Sequence, residues 1–119
     1  MRNRFWTLGA GFAAGLLLAS TASAQPAMPA GNAANGKKLF ETVGCYECHG
    51  YAGQGGGAGP KLIDPPPWEV VITQLRTPRQ QMPPYTEKVL SNQQAADIYA
   101  HLKTFPKPAD PATIPLLQN

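Results

Sequence analysis

Five consecutive residues, Cys45-Tyr46-Glu47-Cys48-His49, restrict this chain more than any other feature. They contain both of its cysteines and one of its two histidines. The two thiols stand three positions apart on one turn of chain, and an imidazole follows at once. Four chemistries use a cysteine pair at this spacing: a redox dithiol, a disulfide, half of a zinc site, and covalent attachment of haem. A thioredoxin-like dithiol needs a strand before it and a helix after it. Here a helical pattern precedes the pair and a glycine-rich loop follows. A structural zinc site needs four ligands, and this chain has no second cysteine pair and only His101 as a further histidine. A disulfide beside a coincidental histidine stays open. Haem attachment uses all three groups. Two thiols at this spacing reach two vinyl groups on neighbouring edges of a porphyrin, and the next residue then faces the ring, where its imidazole binds iron.

The start of the chain has a separate purpose. Arg2 and Arg4 precede an apolar run from Phe5 to Ala19, and Ala22-Ser23-Ala24 gives an A-x-A cleavage pattern. That order predicts a secretory signal peptide over residues 1–24. The run is shorter than the ~20 residues a spanning helix needs, so no membrane span is expected after cleavage. Asn3 separates the arginines, so no twin-arginine signal is present, and no cysteine at the cleavage point offers a lipid anchor. Export places the chain in an oxidising compartment, the periplasm, where a free thiol pair would not persist. It also corrects the charge. The whole chain carries +3, but without Arg2 and Arg4 eight basic side chains face seven acidic ones. Nothing in that balance favours a nucleic-acid partner.

The exported portion is short for a self-sufficient hydrophobic core, and domains of that size often rely on a metal, disulfide or cofactor. Residues 25–34 are rich in Ala, Pro, Gly and Asn and read as a flexible leader. A first helix is predicted from Asn35 to Val43, with Leu39 and Phe40 on its apolar side and Gly44 as its stop. Residues 50–61 hold six glycines and one proline, a loop with wide backbone freedom. A second helix is predicted from Pro66 to Arg76, with Asp64 near its start and Trp68, Val71, Ile72 and Leu75 on one face. Thr77–Tyr85 contains three prolines around Met82. The last helix has the clearest start. Ser91 and Gln94 form an S-x-x-Q capping box, and Leu90 can staple onto Ala95. Ala95, Ile98, Tyr99 and Leu102 then repeat the helical stripe, and Pro106 ends it. His101 falls beside that stripe and is expected to face solvent. The domain is therefore placed at residues 35–105, with a proline-rich tail at 106–119 lying over the surface or loose. With no period-two pattern, the expected class is all-α: a small helical domain with long loops.

The other face of the iron needs a ligand. After cleavage the methionines are Met28, in the leader, and Met82, in the proline-stiffened loop. A Met82 thioether would favour ferrous iron and raise the potential. His101 is the rival.

From Gly36 to Leu102 the sequence resembles the small class I c-type cytochromes of bacteria. The resemblance rests on Gly36 and Phe40, the C-Y-E-C-H motif, Gly59-Pro60-x-Leu62, Met82-Pro83-Pro84-Tyr85, and Tyr99 and Leu102 in the last helix. It implies a cytochrome c-like domain around one covalently attached haem c, with Cys45 and Cys48 bonded to the haem and His49 and Met82 on its iron. It points to Pro60 as the carbonyl that accepts from the His49 imidazole, and to Gly36 as the site of close packing against Tyr99. Trp68 Nε1, Arg79 and Gln81 are candidate donors to the haem propionates by position, though Trp68 equally reads as core packing and Arg79 as a surface charge. The expected function is single-electron transfer, not catalysis, between redox protein partners such as a dehydrogenase and a respiratory acceptor. The protein would act as a monomer or as a subunit of a redox complex. A haem-based catalyst or gas sensor with a displaceable sixth ligand is the alternative, and His101 is the free imidazole it would need.

Overall fold

The computed structural model describes residues 27–118. The expected signal peptide lies outside the described residues. Four α-helices are present, α1 Ala33–Thr42, α2 Cys45–His49, α3 Trp68–Arg76 and α4 Asn92–Leu102, followed by two 3-10 turns at Pro111–Thr113 and Pro115–Leu117. Among the described residues there is no strand.

α1 and α4 form the principal helix pair; α2 packs on α1, and α3 on α4. The crossing depends on Gly36. A Cβ at this position would run into the backbone of Asp97 and Ile98, so a side chain there would force the two helices apart. The Tyr99 ring, the expected partner, is buried. It packs edge-on against Trp68 at 5.9 Å, and its hydroxyl donates to Pro66 O at 3.1 Å. The core between the helices is built from Phe40, Trp68, Ile72, Leu75, Leu90, Ile98, Tyr99 and Leu102.

The helix starts follow local chemistry. At α4 the capping box is complete: Gln94 N–H donates to Ser91 Oγ at 3.2 Å, and Ser91 N–H to Gln94 Oε1 at 2.9 Å. α3 begins at Trp68, two residues later than expected, because Pro66 and Pro67 form an extended lead-in. Asp64 does not cap it and instead pairs at the surface with Lys107 at 3.7 Å. α1 begins two residues earlier than expected, capped by the Asn32 side chain accepting from Asn35 N–H at 3.0 Å. Residues 31–34, expected in a flexible leader, therefore belong to the fold.

Asp97 explains why the leader is held. This carboxylate is buried and accepts from Asn32 N–H at 2.8 Å, Asn35 Nδ2 at 2.8 Å and Gln93 Nε2 at 3.0 Å. Gln93 Nε2 also donates to Ala30 O at 2.7 Å. One acidic side chain thus ties the chain before α1 to α4. Burial alone would raise its pKa, but the donors from Asn35, Asn32 and Gln93 outweigh it and hold the carboxyl below the ordinary carboxylate value.

His101 is not solvent-facing. It is buried, with its ring edge-on to Phe40 at 5.7 Å and to Phe105 at 4.8 Å. α1 covers one flank of α4 and the Phe105 turn covers the next, so the buried surface of α4 is wider than one stripe. Burial, reinforced by Lys37 and partly opposed by Glu41, pushes the imidazole pKa down. The tail is not wholly extended either. Asp110 caps the first 3-10 turn by accepting from Ala112 N–H at 2.9 Å.

Replacing Asp97 with Ala is expected to lower stability by about 1.5–3 kcal/mol, the scale of losing charge-assisted bonds, measured by urea unfolding. Because the folded pKa is depressed, the Asp97 contribution is complete above the ordinary carboxylate pKa of ~3.9. It is lost as pH falls through the lower folded value, and the variant's acid unfolding curve is expected to lack that component.

Candidate functional site

The C-x-x-C-H residues form α2, a single helical turn bounded by Gly44 and Gly50, both with positive φ. Cys45 is half-buried, Cys48 is exposed, and the two sulfurs are not joined. Burial pushes the Cys45 thiol up to about 11, with its own backbone hydrogen bond acting weakly the other way. The element that precedes the pair is the helix α1, not the strand that a thioredoxin-like centre needs.

His49 is buried, and its Nδ1 lies 2.7 Å from Pro60 O. A carbonyl can only accept, so Nδ1 carries the proton and donates it. Nε2 is then left with its lone pair, the state a metal ligand requires. The loop that carries Pro60 is folded back by Gly55 N–H to His49 O at 2.8 Å and Leu62 N–H to Gly53 O at 2.7 Å. Gly59 makes the approach possible. A Cβ there would stand 2.9 Å from Cys48 O and 3.0 Å from both His49 Nδ1 and Cε1. Gly56 and Gly57 face open space, and nothing in the packing explains them.

The loop from Thr77 to Tyr85 forms the second part of the site. Met82 is half-buried, and its Sδ accepts from Gln74 Nε2 at 3.6 Å. Tyr85 N–H donates to Leu75 O at 2.8 Å. Arg76 closes the loop by donating from one guanidinium nitrogen to Tyr85 O and from the other to Asn92 Oδ1, each at 2.6 Å. The Tyr85 phenol is raised by burial first, then by Cys45, Cys48 and Glu47. Met82 and Tyr85 of this loop and Cys45 and Tyr46 of α2 pack against the same core. Leu62, Val71, Met82 and Tyr85 pack against the core yet remain only partly covered, leaving an apolar surface beside the thiols and His49.

Trp68 supplies the sharpest observation. Its indole is buried, and Nε1 has no hydrogen-bond partner among the described residues. Buried N–H donors are rarely left unpaired, because each costs about 1–3 kcal/mol. Two unjoined thiols, an imidazole with a free Nε2, a half-covered apolar face and an orphan donor together fit a covalently held haem. Its propionates would bring the acceptor that Trp68 lacks.

Residues 31–102, well over half of the chain, match the family described as cytochrome C oxidase, cbb3-type, subunit III. The chain belongs to this c-type cytochrome family. No curated protein matches it. The match begins at Gly31, which packs closely on α4, and ends with the last residue of α4. The family carries a covalently bound haem c with its iron, and transfers electrons through it.

The expected propionate donors on the Met82 loop lie at the surface. Arg79 and Gln81 are exposed, and among the described residues only the backbone N–H of Arg79 is engaged, with Gln74 Oε1 at 3.4 Å. His101 is enclosed by Phe40 and Phe105. Gln74 and Arg76 escaped sequence reasoning. A basic residue in the last turn of a helix reads as a partner of the helix dipole, and nothing local marks it as the clasp of a loop.

Trp68→Phe keeps most of the packing and removes the donor. In the haem-loaded cytochrome it is expected to raise the pKa of a propionate that would accept from Trp68, since a donor to the charged form lowers that pKa. A plot of midpoint potential against pH is expected to shift its inflection upward.

Proposed function

We propose that this cytochrome is an exported single-electron carrier whose iron is held by His49 on one face and Met82 on the other. The observation that carries the reading is the His49–Pro60 hydrogen bond, which leaves Nε2 free to bind iron. Haem c supplies the one-electron ferric–ferrous couple, and the chain's residues determine its setting. Cys45 and Cys48 anchor the group through thioether bonds. Pro60 holds the imidazole tautomer and orientation and raises its basicity. Met82 is stationed by a loop that Arg76 ties to the start of α4. Leu62, Val71 and Tyr85 would help to keep water from the bound haem, which would lower the reorganisation that accompanies electron transfer.

Residues 1–24 have the order of a signal peptide, and this supports a periplasmic location. No helix among the described residues is long and apolar enough to cross a membrane. Donor and acceptor would be redox proteins meeting the haem edge through a small, transient interface. A dehydrogenase is the proposed donor and a respiratory enzyme the proposed acceptor, the latter in keeping with the oxidase named in the family's description. The protein would work as a monomer or as a subunit of such a complex. The catalytic alternative needed a polar distal group, and the buried His101 packs between aromatic rings instead.

Visible spectra of the exported protein, oxidised and reduced, test the assignment beside Met82→Ala. The wild type is expected to show a low-spin c-type spectrum, and the variant a high-spin or open form. An unchanged variant spectrum would remove Met82 as the ligand. Mass spectrometry of the same sample is expected to give a chain beginning at Gln25 with one haem added; a retained leader would refute cleavage.

A further inference from the structure

The Met82 sulfur is not simply packed. Gln74 Nε2 donates to it at 3.6 Å, and Gln74 Oε1 accepts from Arg79 N–H at 3.4 Å. The orientation of this amide is settled by its partners. A backbone N–H only donates, so the oxygen must face Arg79 and the NH₂ must face the sulfur. Gln74 projects from the last two turns of α3, whose next residues, Leu75 and Arg76, hold Tyr85 by separate bonds. The loop therefore has its own fastenings, and the contact with sulfur is an additional one.

We propose that Gln74 is a positioning and tuning residue for the iron, acting through the sulfur of Met82. The proposal rests on Met82 being the second ligand. A thioether sulfur has two lone pairs. One is given to iron, and the other remains available to accept the Gln74 N–H. That bond draws electron density from sulfur and weakens its donation to the metal. Ferric iron, the stronger Lewis acid, loses more from this than ferrous iron does. Gln74 thus favours the reduced state and raises the potential, in the same direction as the choice of methionine itself. A hydrogen bond to a ligand is one of the general means by which a protein adjusts a bound metal.

Gln74→Leu keeps the bulk and removes both polar ends. The potential of the haem-loaded protein is expected to fall, favouring the ferric form by about threefold, or roughly 28 mV at 59 mV per tenfold. The weak far-red absorption that marks sulfur bound to ferric iron is expected to persist, moved in wavelength. An unchanged potential with the band in place overturns the proposal. Loss of the band also overturns it, because Gln74 would then be only a strut of the loop. Gln74→Met, a second apolar replacement of similar length, is expected to reproduce the lowered potential; a wild-type potential in that variant would attribute the Leu effect to shape and overturn the tuning role. Met82→Ala separates the two readings. If its spectrum matches wild type, the ligand assignment itself has failed. If it changes while Gln74→Leu leaves the potential unmoved, only the role of Gln74 has failed.

Discussion

A histidine that binds metal through one ring nitrogen must keep its proton on the other, and something must hold it there. In this chain the Pro60 carbonyl does so, 2.7 Å from His49 Nδ1. Proline suits that position because it offers an acceptor with no N–H of its own. The rest of the loop is arranged to deliver this one oxygen. Gly55 and Leu62 close it by backbone bonds. Gly59 has no side chain to crowd the imidazole. The potency of the ligand, the direction it faces and the shape of the loop are therefore one problem with one solution.

The helices serve that geometry from a distance. α1 and α4 cross closely at Gly36, and Asp97 locks the crossing by collecting three donors from the segments around it. A buried carboxylate is costly without partners and secure with three. α2 is stacked on α1, so the motif inherits the rigidity of the pair. α3 is stacked on α4, and from its last turn Gln74, Leu75 and Arg76 reach out to the loop that bears Met82.

What could be read from the sequence is what local chemistry decides. The motif, the capping box at Ser91, the stop at Gly44 and the apolar stripes of α3 and α4 each depend on residues a few positions apart. The misreadings involve distant partners. Asp97 looks like any polar position of an amphipathic helix until residues 31–35 are laid across it. His101 falls off the stripe, yet Phe105 folds back to cover it, so a second flank of α4 is buried. Arg76 looks like an ordinary cation at a helix end, yet its guanidinium spans Tyr85 and Asn92 and so clasps the loop. Proximity along the chain is a poor guide where a long side chain can bridge two segments.

The division of the site between helix pairs has a consequence for folding. α2 meets α1, and α3 meets α4, but α2 and α3 make no helix-to-helix contact of their own. The thiols and His49 thus sit on one pair, Trp68 and the Met82 loop on the other, and the apolar face between them is only partly covered. A haem bonded to Cys45 and Cys48 and hydrogen-bonded to Trp68 would join the two pairs directly. It would bury the shared apolar surface and give the Trp68 indole an acceptor. A ligand that binds only the folded arrangement adds its binding free energy to folding. In a domain this small that addition is comparable with the whole stability a core of its size supplies. The covalent bonds to cysteine then do more than retain the cofactor: they make a structural member of the domain permanent.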